Sequence, residues 1–108
     1  MKILISGKQL DLGETLQTRV TERLGPAITK YYDEALEARV TFRREAHLYQ
    51  AEISVHVGTG IDAHATGDAS EIYACFEAAL ERMEKQLRRD KRKRRNHHAG
   101  PDGPDGGP

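Results

Sequence analysis

Between Arg82 and Arg95, nine of fourteen residues are Lys or Arg and only Glu84 and Asp90 are acidic, so this short stretch carries a formal charge of +7. Residues 1–81 hold eight basic and thirteen acidic residues, Asp102 and Asp105 follow, and the whole chain sums to zero. Neutrality here is segregation. Cations at this density displace the counterions condensed around phosphates, while an acidic remainder limits indiscriminate adhesion. The chemistry on offer is polyanion binding, with RNA as the expected ligand, and the rival reading is an ordinary solvated face.

Other reactive side chains point to less. Cys75 is the single cysteine; it sits on the flank of an apolar helical stripe, where a small buried hydrophobe is expected rather than a nucleophile. His56 and His64 fall on one face of a strand pair, but as a diagonal pair without thiol support they do not make a zinc site. Gly58-Thr59-Gly60 precedes no helix, so it matches neither a phosphate-binding loop nor a dinucleotide fingerprint. Glu52 has Arg39 and Arg43 as expected cross-strand partners, and Glu45 and Asp62 share that solvated face, so these acids read as ion-paired rather than catalytic. No enzyme, cofactor, metal or small-molecule substrate is expected. One cysteine allows no internal disulfide, and no apolar run is long enough for a signal peptide or a membrane span, so a soluble cytoplasmic protein is expected.

Length bounds the architecture. Of 108 residues, Gly100–Pro108 are only Gly, Pro and Asp, which predicts a domain over residues 1–95 and a disordered tail, or the start of a linker, over 96–108. Lys2–Ser6 reads as a strand. From Glu14, the spacing of Leu16, Val20, Leu24, Ala27 and Tyr31 predicts an amphipathic helix, with a kink or break at Gly25-Pro26. Leu36–Arg44, Ala51–Val57 and Ile61–Thr66 alternate apolar and polar residues as half-buried strands do. Pairing Val57 with Ile61 sets Val55 opposite Ala63 and Ile53 opposite Ala65, a register that buries every apolar residue of that hairpin. The last helix is predicted to open with a capping box, Asp68 as N-cap and Glu71 three residues on, and to bury Ile72, Phe76, Ala79, Leu80, Met83 and Leu87. The fold class is α+β: a β-α-β-β-β-α two-layer sandwich, a four-stranded sheet covered on one face by two helices.

These elements place the cations. At about 100° per residue, Lys85, Arg88, Arg89 and Arg92 fall opposite Met83 and Leu87, while Arg82 and Lys93 flank that stripe. Beyond Leu87 the core direction is taken by Asp90 and Arg94, so the helix outruns its core. The first helix adds Arg19, Arg23 and Lys30 along one line. Salt bridging to nearby acids competes with RNA contact for Arg19 and Arg23, and core packing competes with base stacking for Tyr31 and Tyr32.

The ordered set Ala51-Glu52-Ile53-Ser54-Val55, a Gly turn, Ala63 to Ala65, Asp68, Ile72-Tyr73-Ala74, Ala79 and Glu84-Lys85-Gln86-Leu87 running into Lys and Arg resembles the ribosome hibernation promoting factor family, also described as ribosome-associated inhibitors. The resemblance covers residues 1 to 95. It implies a domain similar to a double-stranded-RNA-binding fold that lies on the small ribosomal subunit and its ribosomal RNA, in the channel of messenger and transfer RNAs. Occupying that channel would inhibit translation and promote hibernation under stress or in stationary phase. The family's RNA-facing cations carry over to Arg82, Lys85, Arg88, Arg89, Arg92 and Lys93, and to Arg23 and Lys30 of the first helix. Gly25-Pro26 departs from the pattern, and His97-His98 with the tail resembles the linker of long family members, whose C-terminal domain pairs ribosomes into dimers. The alternative function is a general double-stranded-RNA-binding module.

Overall fold

The computed structural model describes residues 1–58 and 60–99, with side chains through residue 93. Its elements run β1 (Lys2–Gly7), α1 (Glu14–Thr29), β2 (Ala35–Glu45), β3 (Leu48–Val57), β4 (Ile61–Ala69) and α2 (Ile72–Ala99). The sheet order follows the chain, β1-β2-β3-β4. β1 and β2 are parallel, which requires a crossover, and α1 supplies it. The other two pairings are antiparallel. The register Val57↔Ile61, Val55↔Ala63, Ile53↔Ala65 is the one the alternation predicts. At the turn, Gly60 takes φ +91 and its N–H bonds to the Val57 oxygen; Thr59 lies outside the described residues.

One side of the sheet holds the core. Val40, Phe42, Ile53, Val55 and Val57 meet Leu24 and Ile28 of α1 and Phe76, Leu80, Met83 and Leu87 of α2, all buried. Side-chain size along β4 sets the distance to α2. Its core-facing row runs Ile61, Ala63, Ala65, Gly67, so the layer thins toward the strand's end. At Gly67 strand and helix touch by backbone: a Cβ there would stand 2.3 Å from the Ala79 nitrogen and 2.6 Å from the Cys75 oxygen.

Three local expectations are corrected. The helix does not break at Gly25-Pro26; α1 is continuous to Thr29 with Pro26 inside it. A side chain before proline disfavours helical backbone through its Cβ, and Gly25 has none. The buried line is also Leu16, Val20, Leu24, Ile28, in steps of four throughout, so Ile28 and Tyr32 take the places expected for Ala27 and Tyr31, which are half-buried. Finally, Asp68 is no cap. β3 begins at Leu48, and the longer hairpin pairs Asp68 with Gln50 within β4. The first helical bond of α2 runs from the Cys75 N–H to the Glu71 oxygen. The backbone of α2 continues through Ala99, and the part of the expected tail at residues 100–108 lies outside the described residues.

Candidate nucleic-acid interface

Among the described side chains of α2, Leu87 is the last that the core buries, and the helix backbone continues to Ala99 beyond it. Along this overhang Arg88, Arg89, Arg92 and Lys93 are exposed, as is Lys85 one turn earlier. None of these five makes a hydrogen bond or ion pair among the described residues. Their charge is therefore available to an external anion. Lys85 and Arg88 border a groove between the helices that also takes in Arg23 and the acids Glu77, Glu81 and Glu84.

The remaining predicted residues are already engaged. Arg82 is exposed, but its guanidinium donates to the Thr66 carbonyl at 3.1 Å, covering a backbone group on the outer edge of β4. Arg23 donates twice to Glu77, at 2.6 and 3.1 Å. The hydrogen bonds to Glu77, and then its charge, raise the proton affinity of the Arg23 guanidinium above its ordinary value. Arg19 also reaches Glu77 at 4.0 Å and lies over the Tyr73 ring at 5.6 Å. Salt bridging thus occupies both arginines of α1. Lys30, just past α1, rests 5.4 Å from the Tyr31 ring centroid.

Lys91 was not singled out from the sequence, and it has a definite place. Its Nζ lies 5.0 Å from the centroid of Tyr32, which is buried between α1 and β2. Position 91 is four residues after Leu87, so continuing the stripe by one step would have found it. Through this contact the connection between α1 and β2 sits beside the basic end of α2.

The other reactive groups are structural. Cys75 is buried, its Sγ donates to the Ile72 carbonyl at 3.1 Å, and burial pushes the thiol up to about 11. On the open sheet face His56 pairs with Asp62 at 2.7 Å. Glu52 takes a hydrogen bond with His64 on one oxygen and one from Arg43 at 2.9 Å on the other. The His64 hydrogen bond, with the Arg43 charge behind it, holds the Glu52 carboxyl below its ordinary value against a smaller opposing effect of burial. Arg39, expected as a second partner of Glu52, pairs with Glu37 two residues earlier on its own strand. Among the described residues no group of three His, Cys, Asp or Glu side chains is placed to hold a metal, and no helix is long and apolar enough to cross a membrane.

The sequence profile of the family described as Sigma 54 modulation protein / S30EA ribosomal protein matches residues 3–95. The Ribosome hibernation promotion factor of Rhizobium meliloti (strain 1021) is 38% identical over 100 residues, 93% of this chain and 53% of that protein. The protein of the same name from Bradyrhizobium diazoefficiens is 30% identical over 99 residues, 92% of this chain and 49% of that protein. The chain thus spans about half the length of these two relatives. The Escherichia coli (strain K12) Ribosome hibernation promoting factor is 24% identical over 97 residues and is matched along 100% of its length. Among solved structures, the Thermus thermophilus Protein Y N-terminal domain superposes with a TM-score of 0.74 at 25% identity, covering 83% of this chain and 99% of that one. A ribosomal subunit interface protein from Coxiella burnetii gives the same TM-score at 17% identity, covering 85% of this chain and 99% of that one, and shares the fold.

Proposed function

The chain belongs to the Sigma 54 modulation protein / S30EA ribosomal protein family, and from that membership we propose that it is a non-catalytic translation inhibitor of the cytoplasm that promotes ribosome hibernation under stress or in stationary phase. It binds the small ribosomal subunit and its ribosomal RNA in the channel used by messenger and transfer RNAs. Residues 1–95 act as the ribosome-binding domain. The observation that carries the reading is the overhang of α2, where Arg88, Arg89, Arg92 and Lys93, with Lys85 one turn before it, stand exposed and unpaired among the described residues. A cationic rod projecting past its domain can enter a phosphate-lined channel that a globular surface cannot follow. Arg82, Arg23 and Lys30 join the contact by exchanging their present partners for phosphate.

The test is sedimentation with purified small subunits, for this chain and for a variant with Lys85, Arg88, Arg89 and Arg92 all changed to Glu. The expected result is co-sedimentation that the variant loses, that transfer RNA competes away and that free duplex RNA barely disturbs. Efficient competition by any duplex would replace this reading with a general double-stranded-RNA-binding module. Absence of co-sedimentation at low salt would overturn both.

A further inference from the structure

We propose that the outer edge of β1, with the groove between β1 and α1, binds an extended cationic segment of a partner protein that adds to the sheet as a fifth strand. Among the described residues β1 is hydrogen-bonded to β2 alone, so its other edge presents unpaired backbone donors and acceptors, the template for strand addition. The floor of the adjoining groove is apolar. Ile3 and Ile5 stand in register with Ala38 and Val40, on the core side of the sheet, yet both are only half-buried. Their cover is thin by construction. Gly25 places no side chain above Ile3, and a Cβ there would come no nearer than 4.0 Å to its Cδ1. Thr18 and Thr21 add only short side chains to the wall.

Charge selects the occupant. The groove is bordered by Glu14 and Glu22 and by no Lys or Arg, and neither acid has an ion-pair partner among the described residues. An RNA strand would be repelled there. A second copy adding through its own β1 would bring its Glu14 and Glu22 toward the same two acids. A segment carrying Lys or Arg on the core-facing side would satisfy them. The two carboxylates are eight helical residues apart, about 12 Å along the axis, close to the roughly 14 Å between positions i and i+4 of a strand. The matching segment therefore has cations at i and i+4 and a branched apolar residue at i+2 that rests on Ile3 and Ile5. This surface goes beyond the RNA-binding role: α2 packs over β3 and β4, and β1 is the opposite edge of the sheet, so the cations of α2 and this groove occupy different ends of the same helix-covered face.

The test uses the whole chain, isotope-labelled, and an acetylated, amidated heptapeptide with Lys at its second and sixth positions, Val at its fourth and Thr elsewhere. The expected result is amide shift changes centred on residues 2–7 with slowed exchange of the outward β1 amides. The double variant Glu14→Lys/Glu22→Lys, altered only at exposed positions, should bind that peptide at least tenfold more weakly. It should instead bind the analogue in which Glu replaces both Lys. A peptide N-methylated at alternate amides should lose binding to the unmodified protein. The proposal fails if β1 does not respond at millimolar peptide, if the Glu and Lys peptides bind the unmodified chain equally, or if N-methylation has no effect. It fails equally if the β1 shifts appear on raising protein concentration alone, or with a short RNA in place of the peptide.

Discussion

Glu52 shows how one side chain on the open face joins two strands to a third. Its carboxylate meets Arg43 of β2 and His64 of β4, and its proton affinity is lowered by those contacts. A depressed carboxyl contributes stability that is present above its unfolded value, near 4.5, and is lost as pH falls through the lower folded value. Glu52→Gln is therefore expected to destabilise the domain by up to about 1 kcal/mol at neutral pH, and by progressively less below pH 4.5, in urea melts across an acid series. At position 67 sterics alone decide. Gly67→Ala would press a methyl group into the α2 backbone, and a loss of about 3 kcal/mol is expected from the same melts. The sequence made the Val57↔Ile61 register legible, and with it the facing of His56 and His64, because a period of two and a short turn fix both. It did not reveal that Arg23 chelates Glu77 or that Arg82 covers the Thr66 carbonyl. Those contacts depend on how α2 settles against α1 and β4, which no local pattern encodes.

Among the elements, α1 is the one whose local preference and tertiary environment disagree. Pro26 removes the N–H that would bond the Glu22 carbonyl, a loss of helix stability that the burial of Leu24 and Ile28 on either side offsets. Pro26→Ala restores the bond at an exposed position, so stability is expected to rise by about 1–3 kcal/mol, with α1 amides near Glu22 exchanging more slowly. The strands were legible in number and facing but short at their ends. The added residues, 48–50 of β3 and 67–69 of β4, set an exposed Leu48 beside Glu45 of β2 and leave β4 only Gly67 and Ala69 on its inward row, so pairing, not pattern, recruits them. The capping box failed for the same reason: Asp68 was available to the strand before it was available to the helix.

For the whole molecule, charge segregation becomes spatial separation. Lys85, Arg88, Arg89, Arg92 and Lys93 stand exposed along α2, which packs over β3 and β4, while Glu14 and Glu22 border the β1 edge of the same face. If about six phosphates are neutralised, affinity for small subunits should fall roughly a thousandfold over a fourfold rise in salt, and a flat salt response in the sedimentation series would exclude an electrostatic contact of that size. Gly67 bears on this at a distance. The strand–helix contact it permits acts as the fulcrum of a lever whose long arm is the overhang. From Ala79 to Arg92 that arm is about 20 Å, so a tilt of some 5° at the fulcrum sweeps Arg92 through nearly 2 Å, more than half the length of an ordinary hydrogen bond. A residue with no side chain and no charge thereby sets the aim of the cations, and substitutions mild enough to preserve folding at this point would register first as misdirected binding.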